Sequence, residues 1–179
     1  GIQRAVHVHN QYAVALFLDA DIEVYATLDH LLALDGGDVL LTPHLLTPAT
    51  GTESYERELN VILSGVYNGG CVVVRDTDSG SRFLDWFGDR LWHTCEHEVE
   101  MGLHYDQTYL DLVPTLFDDV AIDRHPGANV AYWNLPERMP RQTDDGWCVG
   151  ATQLCFFHFS GFDPRVPDRP SGYWPALQA

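Results

Sequence analysis

The chain has 179 residues, and its formal net charge of −16 excludes nucleic acid and anionic membrane surfaces as expected partners. A hydrophobic content of 45% with 12% aromatic residues excludes a disordered chain, and no apolar run is long enough to span a bilayer. All 10 basic residues are arginine, which excludes any mechanism that needs a lysine of this sequence.

The first predicted element is a strand over residues 12–18, an apolar and aromatic run without a charge. We expect it to be buried on both faces. Asp19 and Asp21 follow directly and bring two carboxylates to the end of a strand, where open α/β sheets bind ligands. Because neighbouring carboxylates repel each other unless a cation lies between them, the pair predicts a metal site for a phosphorylated ligand. The alternative is a loop in which Asp21 caps the next helix.

Strand and helix patterns then alternate, which predicts an α/β fold. Helices are predicted over residues 27–34, 54–63 and 79–92, the last capped by Asp78 or Ser79, and from Asp106 to Pro114, where the proline ends the helix. Further strands are predicted over residues 38–42, 66–75, 120–122, 129–133 and 154–159. We expect a single domain over residues 1–179, with an irregular, proline-rich tail at 163–179.

Polar residues interrupt or begin two of these elements. Asn68 is followed by Gly69 and Gly70 inside a strand, so either a ligand approaches the backbone there or the glycines form a β-bulge. Asp106 and Gln107 stand at the start of a helix, where polar ligands are favoured, although a plain N-cap explains Asp106 equally well.

A histidine ends the last apolar strand. His158 stands beside a glycine turn at Gly161, and in such surroundings a histidine is more often a hydrogen-bonded core residue than a ligand. The four cysteines form no C-x-x-C pair, so we expect reduced thiols and a cytoplasmic protein.

Taken in order, these segments resemble retaining glycosyltransferases of the GT-A fold, in particular family 8 and related bacterial nucleotide-diphospho-sugar transferases. The strings that carry the resemblance are Asp19-Ala20-Asp21, Tyr67-Asn68-Gly69-Gly70, Asp106-Gln107, the segment from His125 to Leu135, and His158-Phe159-Ser160-Gly161-Phe162. No single string is specific, but the ordered set extends over nearly the whole chain. The resemblance implies a mixed sheet flanked by helices.

The resemblance also implies a function and roles for individual residues. The function would be transfer of a sugar, with retention, from a nucleotide-diphosphate donor (a UDP-sugar is favoured) to a hydroxyl of a carbohydrate or glycoconjugate acceptor. Mn²⁺ or Mg²⁺ would be held by Asp19, Asp21 and His158. Asp106 would bind donor-sugar hydroxyls and Gln107 would lie near the anomeric carbon, as the catalytic pair. The remaining substrate-binding positions would be Asn68, Gly69, Gly70 and Gly161.

The sequence departs from the family pattern in two places. Family 8 members often carry a diphosphate-contacting lysine after the terminal His-x-x-Gly, whereas this chain has Phe162-Asp163-Pro164, so the contact would be absent or made by Arg165. Few residues precede the first strand, so the chain apparently lacks most of the N-terminal nucleotide-binding half. We expect it to be a fragment of a longer transferase.

Three other functions compete with this interpretation. A haloacid-dehalogenase-type phosphatase also has D-x-D after a strand, but Glu23 stands where that family has Thr or Val. Residues 93–97 match the H-x-x-E-H pattern of inverted zinc proteases, and His104 would add a ligand, although a solvated loop is the simpler interpretation. The third competing function is that of a glycosyltransferase-like module that binds glycans or a partner without turnover.

Overall fold

The computed structural model of the protein describes residues 13–33, 36–51 and 54–173. They form a mixed α/β structure in two compact units, which confirms the predicted class. Of the described residues, the first unit contains 13–18 and those from 28 to 124, and the second contains 19–27 and 125–173. Each unit has its own β-sheet structure and its own apolar core.

The first unit is built on a four-stranded sheet. Its strands are β1 (Val14–Leu18), β3 (Val39–Pro43), β4 (Tyr67–Arg75) and β7 (Val120–Ile122). β1 and β3 both pair antiparallel with β4, and β7 pairs parallel with β3, in the order β1-β4-β3-β7. β1, β3 and β7 therefore end at the edge where β4 begins.

The first strand differs from its prediction. Among the described residues β1 pairs with β4 alone, and all five of its side chains are only partly buried. The expectation of burial on both faces is therefore wrong, because an apolar run does not distinguish a central strand from a terminal one. Tyr12 lies outside the described residues.

The described residues of the first unit also form helices. They are α1 (Asp29–Ala33), α2 (Ser54–Ser64), α3 (Asp78–His93), α4 (Gln107–Leu110) and α5 (Val113–Leu116). α3 buries Phe83 and Phe87 against strand residues such as Val72. The N-cap of α3 is Thr77, whose hydroxyl accepts a hydrogen bond from Gly80, and not Asp78 or Ser79 as predicted.

The helix predicted from Asp106 to Pro114 is two short helices. Pro114 lies in the first turn of α5, where its missing N–H costs nothing, so it begins a helix and does not end one. Asp106 occupies the position before α4, but its side chain makes no capping hydrogen bond. The N-cap interpretation of Asp106 is therefore confirmed for the position of the residue but not for a capping role of its side chain.

A two-stranded hairpin connects α3 to α4. β5 (His97–Glu98) pairs antiparallel with β6 (Leu103–His104), and a short 3₁₀ turn at Val99–Met101 joins them. The sequence predicts a polar loop or a surface extension here, without strands. Paired strands of two residues are too short for an alternation pattern to be visible.

The second unit contains two small sheets. In one, β12 (Phe156–His158) pairs antiparallel with β2 (Ile22–Val24) and parallel with β8 (Val130–Ala131). The other consists of β9 (Pro140–Thr143), β10 (Gly146–Val149) and β11 (Thr152–Gln153). Val130, Leu154 and Phe157 are among the buried side chains of its core.

The strand predicted over residues 129–133 stops at Ala131. The Asn134 side chain accepts a hydrogen bond from the Ala131 N–H and donates one to the Asn129 carbonyl, so the chain turns into a 3₁₀ helix at Tyr132–Asn134. From residue 163 to 173 the chain has no helix or strand, as predicted.

Candidate functional site

Three predicted metal ligands lie together in the second unit. His158 Nε2 is 3.1 Å from Asp21 Oδ1 and 3.7 Å from Asp19 Oδ2, and one ligand atom from each residue lies within 4.8 Å of the others. The His158 side chain is only 4% exposed, whereas those of Asp19 and Asp21 are 42% and 48% exposed. We call these three residues the acidic cluster.

Local backbone structure explains why they meet. The Ile22 N–H donates to the Asp19 carbonyl, which closes a turn that brings the two aspartates together. His158 then pairs with Ile22 across β12 and β2, and the Phe159 N–H donates to the Asp21 carbonyl. A turn and a strand pair therefore hold the imidazole beside both carboxylates.

Electrostatics in the acidic cluster favour a neutral imidazole. Burial lowers the pKa of His158, although Asp21 and Asp19 act in the opposite direction. Burial also raises the pKa of Asp19, with His158 opposing the shift and Asp21 adding to it. A neutral imidazole is the form that binds a metal.

The donor set fits a divalent ion. Two carboxylates supply the oxygen ligands that Mg²⁺ and Mn²⁺ prefer, and the single imidazole favours Mn²⁺, because Mg²⁺ prefers oxygen alone. The carboxylates are half-exposed, which leaves them accessible to an ion and a ligand.

An open cleft of about 510 Å³ lies beside Asp21. The residues that line it include Glu23, Phe159, Gly161 and Phe162. Gly161 has a φ of 71°, and an added Cβ would meet the Tyr173 ring. Gly161, a predicted substrate-binding residue, is thus required by the turn and by Tyr173 packing, while it also lines this cleft.

Arg165, which was predicted to contact the diphosphate, binds Asp163 in the structure. The Arg165 guanidinium donates three hydrogen bonds of 2.8–3.1 Å to the Asp163 carboxylate, and the Arg165 side chain is 87% exposed. Arg165 would have to leave Asp163 to reach a diphosphate.

The other predicted residues meet in the first unit. Gln107 Oε1 accepts hydrogen bonds from Asn68 Nδ2 at 2.8 Å and from the Gly69 N–H at 3.1 Å, and Gln107 Nε2 donates to the Ser64 carbonyl at 2.9 Å. Asn68 Oδ1 accepts from the Gly70 N–H. Gln107 is therefore bound to the start of β4 through its amide oxygen and to the end of α2 through its amide nitrogen.

His44 joins this network and was not predicted from the sequence. It is 4% exposed, its Nδ1 lies 3.3 Å from the Val66 carbonyl, and its Nε2 lies 3.4 Å from Asn68 Nδ2. Since a carbonyl only accepts, Nδ1 carries the proton in the neutral ring and Nε2 accepts from Asn68. We call His44, Asn68 and Gln107 the amide network. Its only sequence signal is that His44 follows a predicted strand.

Two structural features explain why this part of β4 contains glycine. β3 residues Leu41 and Thr42 pair with Val72 and Asn68, so residues 69–71 form a bulge. A Cβ on Gly69 would lie 2.5 Å from Asp106 Oδ2, so the carboxylate of Asp106 packs directly over this glycine. The bulge interpretation is therefore confirmed, and the approach of a ligand to these glycines stays a prediction.

Asp111, the residue that follows α4, supports the start of the same strand. One of its carboxylate oxygens accepts from the Val66 N–H at 2.8 Å and from the Tyr67 N–H at 3.4 Å. Burial raises the pKa of Asp111, and the two backbone hydrogen bonds oppose that shift. Asp111 was not singled out in the sequence, where a carboxylate in a helix carries no distinguishing signal.

The zinc-protease pattern does not form a ligand set. His93 ends α3 and pairs with Asp89 at 3.5 Å, whereas His97 lies in β5 with its ring against His104. Within the described part of the chain, the groups suited to hold a metal include none with His93, His97 or His104. The two histidines of the pattern lie on different elements, not on one helix as the motif requires.

Comparison with solved structures shows a glycosyltransferase-like fold. A crystal structure of a glycosyltransferase involved in the glycosylation of the major capsid of PBCV-1 matches 93% of this chain and 69% of its own chain, with a TM-score of 0.55 and 14% identity. At this identity the likeness concerns the fold alone.

Two curated proteins of Bacillus subtilis (strain 168) match in sequence. The uncharacterized protein YfnF is 26% identical over 174 residues, which is 90% of this chain and 54% of YfnF. The uncharacterized protein YfnD is 32% identical over 101 residues, or 55% of this chain and 32% of YfnD. The chain thus spans about half of YfnF and a third of YfnD. No protein-family model matches the chain.

Across residues 13–33, 36–51 and 54–173, no helix combines the length and apolar character that crossing a bilayer requires.

Proposed function

We propose that this chain is part of a metal-dependent glycosyltransferase that takes a sugar from a nucleotide-diphosphate donor, with UDP-sugars favoured, and transfers it to a hydroxyl of a carbohydrate or glycoconjugate. The observation that carries the proposal is the acidic cluster: two half-exposed carboxylates and a buried imidazole, with ligand atoms within 4.8 Å, in a chain with a glycosyltransferase-like fold. Retention of configuration is proposed from the sequence resemblance.

In this proposal the acidic cluster binds the diphosphate through a divalent ion. Asp19, Asp21 and His158 would hold Mn²⁺ in preference to Mg²⁺ because of the imidazole. When bound, the ion would offset the negative charge on the departing diphosphate. The net charge of −16 supports a role for a metal ion in diphosphate binding, since a polyphosphate that approaches so acidic a chain needs a cation.

In the first unit, Asp106 and the amide network have different roles in the proposal. Asp106, whose carboxylate packs over Gly69, would accept hydrogen bonds from sugar hydroxyls. Gln107 Oε1 already accepts two hydrogen bonds from β4, so we assign Gln107 to positioning Asn68 and Gly69. The catalytic role that the resemblance implies for Gln107 stays a prediction.

Calorimetric titration of UDP in the presence of Mn²⁺, and again with EDTA, tests the proposal. We expect binding with Mn²⁺ that EDTA abolishes. The double variant Asp19→Asn/Asp21→Asn should lower the affinity by about 100-fold or more, since it removes two of three protein ligands. Asp144→Asn removes an exposed carboxylate in the β9–β10 turn of the same unit and should bind as the parent does.

Two outcomes would contradict the proposal. Equal UDP binding with Mn²⁺ and with EDTA would show that the metal has no role in binding. Unchanged UDP binding by the double variant would show that the acidic cluster has no role in binding. If metal-dependent UDP binding is found, a screen of UDP-sugars for transfer and hydrolysis separates the transferase from a non-catalytic binding module.

A further inference from the structure

Three aromatic rings cluster on the β5–β6 hairpin of the first unit. His97 and His104 are directly paired across the hairpin, with ring centroids 4.8 Å apart. The Tyr105 ring stacks on His97 at 5.1 Å with an interplanar angle of 18° and contacts His104 at 5.6 Å. Tyr105 remains 51% exposed, so this ring cluster lies at the surface.

The backbone holds Tyr105 in an unfavourable conformation. Its φ is 51°, in the left-handed region that a bulky L-residue rarely adopts. The Tyr105 N–H donates to the Glu96 carbonyl at 2.8 Å, and the His104 N–H donates to Thr108 Oγ1 at 2.8 Å, which fixes the chain on both sides of this turn. Glycine or asparagine would relieve the strain here, so the tyrosine ring is not selected by the backbone. Strain of this kind is concentrated at ligand-binding sites.

The residue after Tyr105 supplies a polar group. Asp106 places its carboxylate over the backbone of Gly69, at the start of β4. An exposed aromatic face, followed directly in the chain by a carboxylate, supplies the two kinds of group that bind a pyranose ring: its C–H groups pack on an aromatic ring and its hydroxyls donate to a carboxylate. A nucleotide or another anion fits poorly, because Glu96, Glu98 and Glu100 lie on the same hairpin segment.

We infer that the Tyr105–His97 stack, together with Asp106, is a binding site for a neutral pyranose. Tyr105 supplies the stacking face, His97 supports the ring from behind, and Asp106 accepts hydroxyl hydrogen bonds. The inference rests on the proposed function only in identifying this sugar as a substrate of the transferase; sugar binding at this site requires neither metal nor nucleotide.

Saturation-transfer NMR with cellotetraose, maltotetraose and mannotetraose as separate probes tests this site, in EDTA and without nucleotide. We expect at least one of the three to bind the parent chain with roughly millimolar affinity. Tyr105→Asn should lower that affinity by about tenfold, the loss of one stacked ring, and leave the melting temperature unchanged or raised because asparagine tolerates the left-handed region. Tyr105→Phe should keep the affinity within about twofold.

The matched control is Tyr55→Ala. Tyr55 is 74% exposed on α2, outside the hairpin, so its removal should leave saccharide binding unchanged. The inference is overturned if none of the three saccharides binds the parent, if Tyr105→Asn binds as well as the parent, or if Tyr55→Ala loses binding equally. Because these measurements exclude metal and UDP, their failure is distinct from a failure of the UDP titration.

Discussion

The acidic cluster and the amide network are both polar, but they differ in how their groups are satisfied. In the amide network, Gln107 and Asn68 bind the backbone of β4 and each other, at distances of 2.8–3.2 Å. In the acidic cluster, two carboxylates share one buried imidazole whose pKa is lowered by burial. The first arrangement is complete within the chain, whereas the second concentrates negative charge that a cation would balance.

This difference separates stability from ligand binding. Hydrogen bonds that are complete within the fold contribute to its stability, and losing one partner leaves buried donors unsatisfied. Repulsion between half-exposed like charges is screened by solvent, so without a counter-ion it lowers the free energy of unfolding only slightly. We therefore expect substitutions in the amide network to lower the free energy of unfolding, and substitutions in the acidic cluster to affect ligand binding far more than stability.

The largest effect on stability is expected for Gln107→Leu. The change removes the acceptor of the Asn68 amide and of the Gly69 N–H, so the free energy of unfolding should fall by about 2–3 kcal/mol. Urea denaturation measures it. Gln142→Leu is the matched control, because Gln142 is exposed in β9 and its replacement should cost less than about 0.5 kcal/mol. Equal losses in the two variants would show that the amide network does not support β4.

A smaller effect of opposite sign is expected for Asp19→Asn/Asp21→Asn. Without metal, the double variant should leave the free energy of unfolding unchanged or raise it by up to about 0.5 kcal/mol, because it removes repulsion between half-exposed carboxylates. Thermal denaturation in EDTA measures this. A loss comparable to that of Gln107→Leu would mean that the carboxylates are structural, and the contrast between the two groups would fail.

The smallest expected effect concerns pH. Burial, with a smaller contribution from His97, lowers the pKa of His104 below its usual 6.5, so the unfolded chain binds the proton more tightly. The contribution of His104 to stability is therefore complete above pH 6.5 and is lost as the pH falls through the folded-state pKa. His104→Gln should flatten the fall in unfolding free energy below pH 6.5. An identical pH profile in the variant would contradict the assignment.

The sequence predicted most of the helices and strands of the first unit, because long patterns such as residues 79–92 bury a regular apolar face. It failed where a few hydrogen bonds decide the path. Thr77 caps α3 through its hydroxyl, and Asn134 turns the chain after Ala131 through its amide. Both effects depend on a single polar side chain and leave no periodic signal.

The site residues were predicted from an ordered set of motifs, and the structure brings them into two groups. Asp19, Asp21 and His158 meet because a turn and the β2–β12 pair act over a separation of well over 100 residues, which no local pattern contains. His44 was missed because a buried histidine whose partners lie on another strand has no sequence signature.

The most direct test of the central claim is a crystal structure of the chain with Mn²⁺ and UDP, with data collected at the manganese absorption edge. We predict an anomalous peak within coordination distance, about 2.0–2.3 Å, of a carboxylate oxygen of Asp19 or Asp21 and of His158 Nε2, with the diphosphate on the same ion. A manganese peak elsewhere, or UDP bound without contact to the ion at the acidic cluster, would contradict the account.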